Sequence, residues 1–496
     1  MLTRMRRLTR ALAALGLVLV TAACAGSDDT APDTTVASAT TALTTTTSAT
    51  TSSSAPPTTT ALTTAAPPTT SAAAPTTSTP AGDPDGTDPL PPLPDDVALP
   101  IVFVHGFAGS AQQYESQKMR FVANGYPADR IVAFEHDGAG MDLAGYAAGA
   151  RAAIDEVLQR TGATQVYLVG HSRGTFVSSL LLSDPTQAAK VAKYVAIDGA
   201  PCPDTPVPCL APNQAMFPGQ SHVETATSPE SFAAQYEFLV GRSAQVVDIT
   251  PQKAPVMLSG RAVNFPANTG RADTTLEVWR IDPATGHRTE PAPIASTVLG
   301  ADGAWGPIQV ETGASYEYAL TSPDSPSVHH VYLQPYVRSS DLVRLLSSPA
   351  DGPTRVNTNS GDDHSALVVM RMREWYALDD TDLDGDQRDV LTIATNGGEP
   401  VDVLPSFVGN GTIGVHVHDD AATPGVTTLI ALPYFSQQPF QSGVDVFMPA
   451  SPEGSGTITL TSDPRGDHGH PQRINVPNWP SSAHAISVVF ADHLVD

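Results

Sequence analysis

The sequence predicts an α/β domain followed by an all-β region, and three observations carry that reading. Residues 98–241 alternate short, nearly all-apolar runs with stretches of helical periodicity, the pattern of a parallel sheet covered by helices on both faces. From residue 242 onward the chain changes to short alternating segments divided by Pro, Gly, Asp and Asn, as in sandwiches and barrels. Residues 1–97 show neither pattern and stand apart from both.

Within those first residues, Arg4, Arg6, Arg7 and Arg10 precede the apolar stretch "ALAALGLVLV", which is too short to span a bilayer. The stretch ends in "TAAC", small residues before a cysteine, and resembles a bacterial lipoprotein signal over 1–24 with Cys24 as the lipidated N-terminus. The other reading is an ordinary secretory signal cleaved near the same alanines. Residues 25–97 are almost entirely Thr, Ser, Ala, Pro and Asp. They offer too little apolar area to offset ordering entropy and read as a disordered tether.

Composition sets the outer limits. At 496 residues the chain exceeds one ordinary core. With 51 acidic against 26 basic residues its formal charge is −25, which argues against a nucleic-acid partner and for an exported, acidic surface. Three cysteines are present. If Cys24 carries lipid, Cys202 and Cys209 remain, closing the proline-rich loop "CPDTPVPC" in a compartment that favours a disulfide over a metal or redox site. Oligomeric state is not legible.

The elements of 98–241 follow in order. "PIVFVHG" and "RIVAFEHDG" are strands ending in glycine turns, and "YAAGARAAIDEVLQRTGA" is a helix with a glycine stop. "QVYLVG" is a strand, "TFVSSLLLSDP" a helix with Phe176, Val177, Leu180 and Leu181 as its apolar face, and "KYVAIDG" a further strand. "GQSHVETATSPESFAAQYEFLVG" is a loop leading into a helix. Beyond residue 242, "TTLEVWRIDPATGHRTE", "SYEYALTSP", "TIGVHVHDD", "VDVFMPA", "GTITLTSD" and "AISVVFAD" read as strands, grouped here as modules 242–330 and 331–496.

Within this frame, "GHSRG" at 170–174 places Ser172 between a strand and a helix. The three fixed residues of G-x-S-x-G would match by chance about 0.2 times in a chain this long, so the setting matters more than the pentapeptide. A nucleophile elbow requires this strand–turn–helix setting, with glycines where side chains would clash. Upstream, "FVHGFAGS" closes the first strand with His105-Gly106. The N–H groups of Phe107 and Arg173 are the candidate donors to a developing oxyanion. Asp198, ending the strand after the nucleophile helix, is the candidate acid, with Asp204 and Asp248 as rivals. His222 is the candidate base, because the chain order on such folds is Ser, acid, His. His105 and His171 read as packing or orienting groups.

These motifs together, HGF, GHSRG, AIDG and the histidine before a helix, resemble the α/β-hydrolase lipases and esterases. The closer likeness, over about residues 98–496, is to two-domain archaeal-type lipases, in which a minimal α/β-hydrolase domain precedes a β-rich C-terminal domain. The resemblance implies an acyl ester or lipid substrate, no cofactor, and a C-terminal domain that helps form the acyl site. Two departures stand out. Thr175 replaces a frequent glycine, and the short, cysteine-tied stretch between Asp198 and His222 leaves room for only a small lid. The aromatic and aliphatic stretch 331–346, "VYLQPYVRSSDLVRLL", is the expected source of further pocket wall.

Competing readings are acyl transfer to a cell-envelope acceptor, or a non-catalytic surface module. Two weaker signals remain. Asp380, Asp382 and Asp384 alternate like a calcium loop but lack the closing Glu, and His416 with His418 lacks a third zinc ligand, so no metal is expected.

Overall fold

The computed structural model describes residues 90–493 except 324, 350–351, 359–360, 378–387 and 406–410. The leader, Cys24, the tether up to residue 89, and Asp380, Asp382 and Asp384 lie outside the described residues.

Strands β1 (Ile101–Val104), β2 (Ile131–Phe134), β3 (Val166–His171), β4 (Val191–Ile197) and β5 (Cys209–Leu210) form one sheet in the order β2-β1-β3-β4-β5. All four pairings are parallel. The apolar runs of β1, β3 and most of β4 are buried on both faces, as predicted, whereas the edge strand β2 is only partly buried. On β1, Ile101 and Phe103 join the core beneath helices Glu115–Ala123 and Pro229–Val240, while Val102 and Val104 face helices Leu143–Thr161 and Arg173–Leu182. Each of these four side chains is fully buried, contributing roughly 1.5–3 kcal/mol. Helix stops fall where glycine permits a left-handed residue, at Gly162 (φ 71°) and Gly241 (φ 82°).

One expected face is corrected. On helix Arg173–Leu182, Val177 and Leu181 are buried, whereas Phe176 and Leu180 are 49% and 40% exposed. The helix inserts only one stripe into the core, because its outer side has no further layer to cover it.

Among the described residues the β region is built from three sheets. The central one has eight strands, in spatial order Gln441–Asp445, Thr412–His418, Leu367–Trp375, His484–Val489, Val328–Leu333, Tyr316–Thr321, Thr275–Arg280 and Ala295–Val298. Alternate residues of strand Leu367–Trp375 point to opposite sides. Leu367 and Val369 enter a core shared with the sheet containing Val390–Thr395, Thr457–Asp463 and Gln472–Pro477. Met370 and Val368 pack into the core shared with Val256–Asn264 and Ser340–Ser347. The central sheet is therefore covered on both faces by sheets, and Thr412–His418 is buried at every residue.

The division at 330/331 falls inside strand Val328–Leu333. That strand pairs in parallel with His484–Val489, so the central sheet draws strands from both sides of the division. Alternation locates strands but carries no record of which distant strand each will join.

The stretch 331–346 has a different place from the one expected. Leu342 is buried in the core that Ile101 and Phe103 enter, and Tyr336 donates to Glu115 at 3.1 Å. Lys118 pairs with Asp341 at 2.6 Å, and Arg344 with Glu135 at 2.6 Å. This stretch thus docks the β region onto helix Glu115–Ala123 and the end of β2.

Candidate active site

β1 lies between β2 and β3, so the chain reverses its direction of travel across the sheet at the carboxyl ends of β1 and β3, where open α/β sheets bind ligands. His105-Gly106 follows β1, and Ser172 follows β3. Ser172 has φ 51° and ψ −122°, a conformation that non-glycine residues rarely adopt. Close packing enforces it. A Cβ on Gly174 would lie 2.1 Å from the Val104 carbonyl, and one on Gly170 would lie 2.7 Å from the Gly174 carbonyl. The bend therefore presents the Ser172 side chain at the head of helix Arg173–Leu182. Among the described residues no hydrogen bond joins Ser172 to His222.

Asp198 follows β4 with φ 38°, and the backbone ties it to the elbow, because Ser172 N donates to the Ile197 carbonyl at 2.9 Å. His222 Nδ1 donates to Asp198 Oδ2 at 2.6 Å. The rival acids Asp204 and Asp248 are exposed. Burial works against a charged His222, but the Asp198 hydrogen bond and charge, with Glu374 beyond, hold the imidazole above its ordinary pKa.

His171 and Gln113 fix the surroundings. His171 Nδ1 accepts from Gln113 Nε2 at 2.5 Å, which leaves Nε2–H to donate to the His222 carbonyl at 3.0 Å. Burial, and then the nearby His222 charge, push the His171 pKa well down, so it stays neutral as an orienting group. The rings of His171 and His222 lie 4.6 Å apart.

Arg173 and Phe107 also meet. The Arg173 guanidinium lies 5.3 Å from the Phe107 ring centroid and donates to the Asp137 carbonyl at 2.6 Å and the Gly106 carbonyl at 3.4 Å. His105 Nδ1 lies 3.0 Å from the same Gly106 carbonyl. Because a peptide's C=O and N–H point in opposite directions, holding the Gly106 carbonyl also fixes the direction of the Phe107 N–H. The N–H of Arg173, first residue of its helix, has no intrahelical acceptor.

Three contributors were not legible from the sequence: Gln113, the Arg173 side chain, and Glu374, which contacts the His222 segment from the β region. The β-region ring beside the imidazole is Phe440, at 6.3 Å between centroids, and it lies outside 331–346. The disulfide Cys202–Cys209 is present, with a Cα separation of 5.9 Å, and it closes the loop between Asp198 and β5.

Elsewhere, His416 stacks on Phe435 and approaches Gln441 Oε1 at 2.9 Å, and burial lowers its pKa to about 3. Among the described residues no cluster of three or more His, Cys, Asp or Glu is placed to hold a metal ion. No described helix is long and apolar enough to cross a membrane.

Comparison with known proteins agrees with this architecture. Residues 100–219 match the family described as the alpha/beta hydrolase fold, 254–350 the lipase C-terminal domain, and 354–494 a further C-terminal-domain family. No curated protein sequence matches. Among solved structures, the epoxide hydrolase VrEH1 from Vigna radiata is 22% identical, with 24% of this chain covered and a TM-score of 0.18. The chain spans 37% of the length of that enzyme. A structure described as LipS and LipT, two metagenome-derived lipolytic enzymes, is 20% identical, covering 24% of this chain and 49% of that one with a TM-score of 0.18. The lin2722 product of Listeria innocua is 16% identical, covering 30% of this chain and 96% of that one with a TM-score of 0.23. The chain thus carries an alpha/beta hydrolase fold over residues 100–219, followed by a region that matches the lipase C-terminal domain over 254–350.

Proposed function

We propose that the chain hydrolyses carboxylic esters through a Ser172–His222–Asp198 triad and an acyl-enzyme. The observation that carries this is the strained Ser172 elbow, whose preceding residue, His171, has its ring 4.6 Å from an imidazole already bonded to Asp198. Ser172 Oγ attacks the ester carbonyl while His222 Nε2 takes its proton, and Asp198 holds the tautomer that leaves Nε2 unprotonated. Charge on the carbonyl oxygen is met by the Phe107 and Arg173 N–H groups. His222 returns the proton to the departing alkoxide. Water, deprotonated by the same histidine, then releases the acid and restores Ser172.

Export with a lipid on Cys24 is the second part of the proposal, supported by the basic–apolar–"TAAC" order of the leader. The mass of the mature N-terminus decides it: cleavage elsewhere, without lipid, rules it out.

The test of the chemistry uses p-nitrophenyl esters and a fluorophosphonate. The wild-type chain is expected to turn over the esters and to be labelled at Ser172. Ser172→Ala should fold normally and lose activity by about 10³-fold or more. Full turnover in that variant would remove Ser172 from the mechanism.

A further inference from the structure

His222 lies between two residues that hang on a single carboxylate from the other region. Glu374, on strand Leu367–Trp375, is 1% exposed. Its Oε1 accepts from the Val223 N–H at 2.6 Å. Its Oε2 accepts from the Ser221 hydroxyl and from the Glu224 N–H at 3.2 Å. The His222 carbonyl is held from the opposite side by His171.

Glu374 is itself held firmly. Its carbonyl accepts from Arg371 at 3.0 Å and from Arg465 at 2.6 Å. Arg465 pairs with Glu224 at 2.6 Å and with Asp389 at 2.7 Å, and Arg373 pairs with Glu224 at 2.8 Å. A buried ion pair is weak evidence for stability, because apolar side chains of similar volume often do as well. What apolar side chains could not do is accept two N–H groups and a hydroxyl on either side of one imidazole.

We propose that Glu374 is a positioning residue for His222, so that the β region, and not the hydrolase domain alone, aligns the catalytic base. The proposal rests on reading Ser172, His222 and Asp198 as the reacting groups. Pinning Ser221, Val223 and Glu224 fixes the backbone that carries the imidazole, and the His171 bond fixes its remaining degree of freedom. The titratable groups facing His222 are Asp198 after β4, His171 at the end of β3, and Glu374; Phe440 is its uncharged neighbour. Of the two carboxylates, Asp198 bonds to the ring itself. Glu374 acts on the ring through the backbone and through its charge.

The test uses the full-length chain and p-nitrophenyl acetate, with kcat expressed per fluorophosphonate-titrated site. Glu374→Gln keeps the shape but loses one acceptor and the charge. It should lower kcat by about 10–100-fold, the cost of a displacement near 1 Å, with KM little changed. Loss of a nearby negative charge disfavours imidazolium, so the acid limb of the pH–kcat profile should move to lower pH. Glu374→Asp retains the charge but falls short of the loop, so kcat should fall while the limb stays in place.

A Glu374→Gln enzyme with a lowered unfolding midpoint but wild-type kcat and acid limb would reduce Glu374 to an interdomain staple and overturn the proposal. Should that variant not fold, Glu374→Asp decides: wild-type kcat overturns the proposal, and reduced kcat in a folded protein upholds it. If the wild-type chain is not labelled at Ser172, the hydrolase reading fails and this proposal fails with it. A labelled wild type together with a Glu374→Gln variant labelled just as fast refutes the positioning role alone.

Discussion

The two regions both bury their principal sheets on two faces, but they recruit the covering layers differently. In the hydrolase domain, helix Leu143–Thr161 connects β2 to β3, and helix Arg173–Leu182 lies between β3 and β4, so much of the cover comes from chain neighbours. In the β region, the central sheet is covered by two other sheets, and strands 328–333 and 484–489 pair across most of the region. The same contrast holds for charge. The His222–Asp198 pair is partly accessible, with side chains 29% and 20% exposed. The Arg465–Asp389 pair is fully sealed. The difference teaches that reactive geometry is made locally, whereas its support comes from a distance.

Three variants test that division. The largest effect is expected for Asp198→Asn. It removes the acceptor that sets the His222 tautomer, and kcat should fall by about 10⁴-fold with little loss of stability. Steady-state kinetics alongside a thermal melt checks both halves. Near-wild-type turnover would place the acid elsewhere and break the comparison at its local end.

Arg465→Ala should act on stability first. The change leaves Glu224 with Arg373, at 2.8 Å, and Asp389 with Arg371, at 2.9 Å; each sealed carboxylate loses one partner, and up to about 3–5 kcal/mol should be lost. Denaturant unfolding measures it. Burial opposes ionisation of Asp389, yet Arg371 and Arg465 hold its pKa well below the carboxylate range. The stability from this depressed pKa is present above the unfolded value and lost as pH falls through the folded one. In Arg465→Ala the folded pKa rises toward the unfolded one, so this acid-side loss should be smaller and finish at higher pH. A change under about 1 kcal/mol would mean that the sealed network supports little.

The smallest effect belongs to the local disulfide. Replacing Cys202 and Cys209 by Ser opens a loop with a sequence separation of 7, worth about 2–3 kcal/mol on loop-closure entropy. Ester turnover of the folded variant should be retained, because His222 is tied by Asp198, His171 and Glu374. A collapse of kcat without unfolding would show that this loop also shapes the site.

The outcome for individual elements follows one physical line. Ser172, Asp198 and His222 were proposed from an apolar run into a glycine-flanked turn, a strand end, and the order of the three along the chain, and the fold brings His222 and Asp198 together. Helix Glu115–Ala123 gave no such signal, because Ser116, Gln117, Lys118 and Arg120 are buried alongside Met119, Phe121 and Ala123 and break up any apolar stripe. Ser116 donates to Asp492, Gln117 to the Ala226 carbonyl at 2.7 Å, and Arg120 to the Val247 carbonyl at 2.8 Å. A helix that faces a polar interface shows no apolar stripe, so periodicity passes over it.

The sequence by itself determined the change from helix-covered to strand-built chain near residue 242, the sharp elbow at Ser172, and the cysteine pair that closes a short loop. Each rests on sterics, burial or ring closure within a few residues, which any fold of this chain must respect. Only the tertiary structure decided that Glu374 would meet the His222 loop, that Phe440 rather than 331–346 would lie beside the imidazole, and that strands 328–333 and 484–489 would be neighbours. Those contacts join residues more than 150 positions apart, and a pattern of alternating apolar residues is satisfied equally well by many partners. Register and pairing are fixed when whole sheets pack face to face, since only then does one arrangement bury every alternate side chain and leave the Glu374 carboxylate facing the N–H groups around His222.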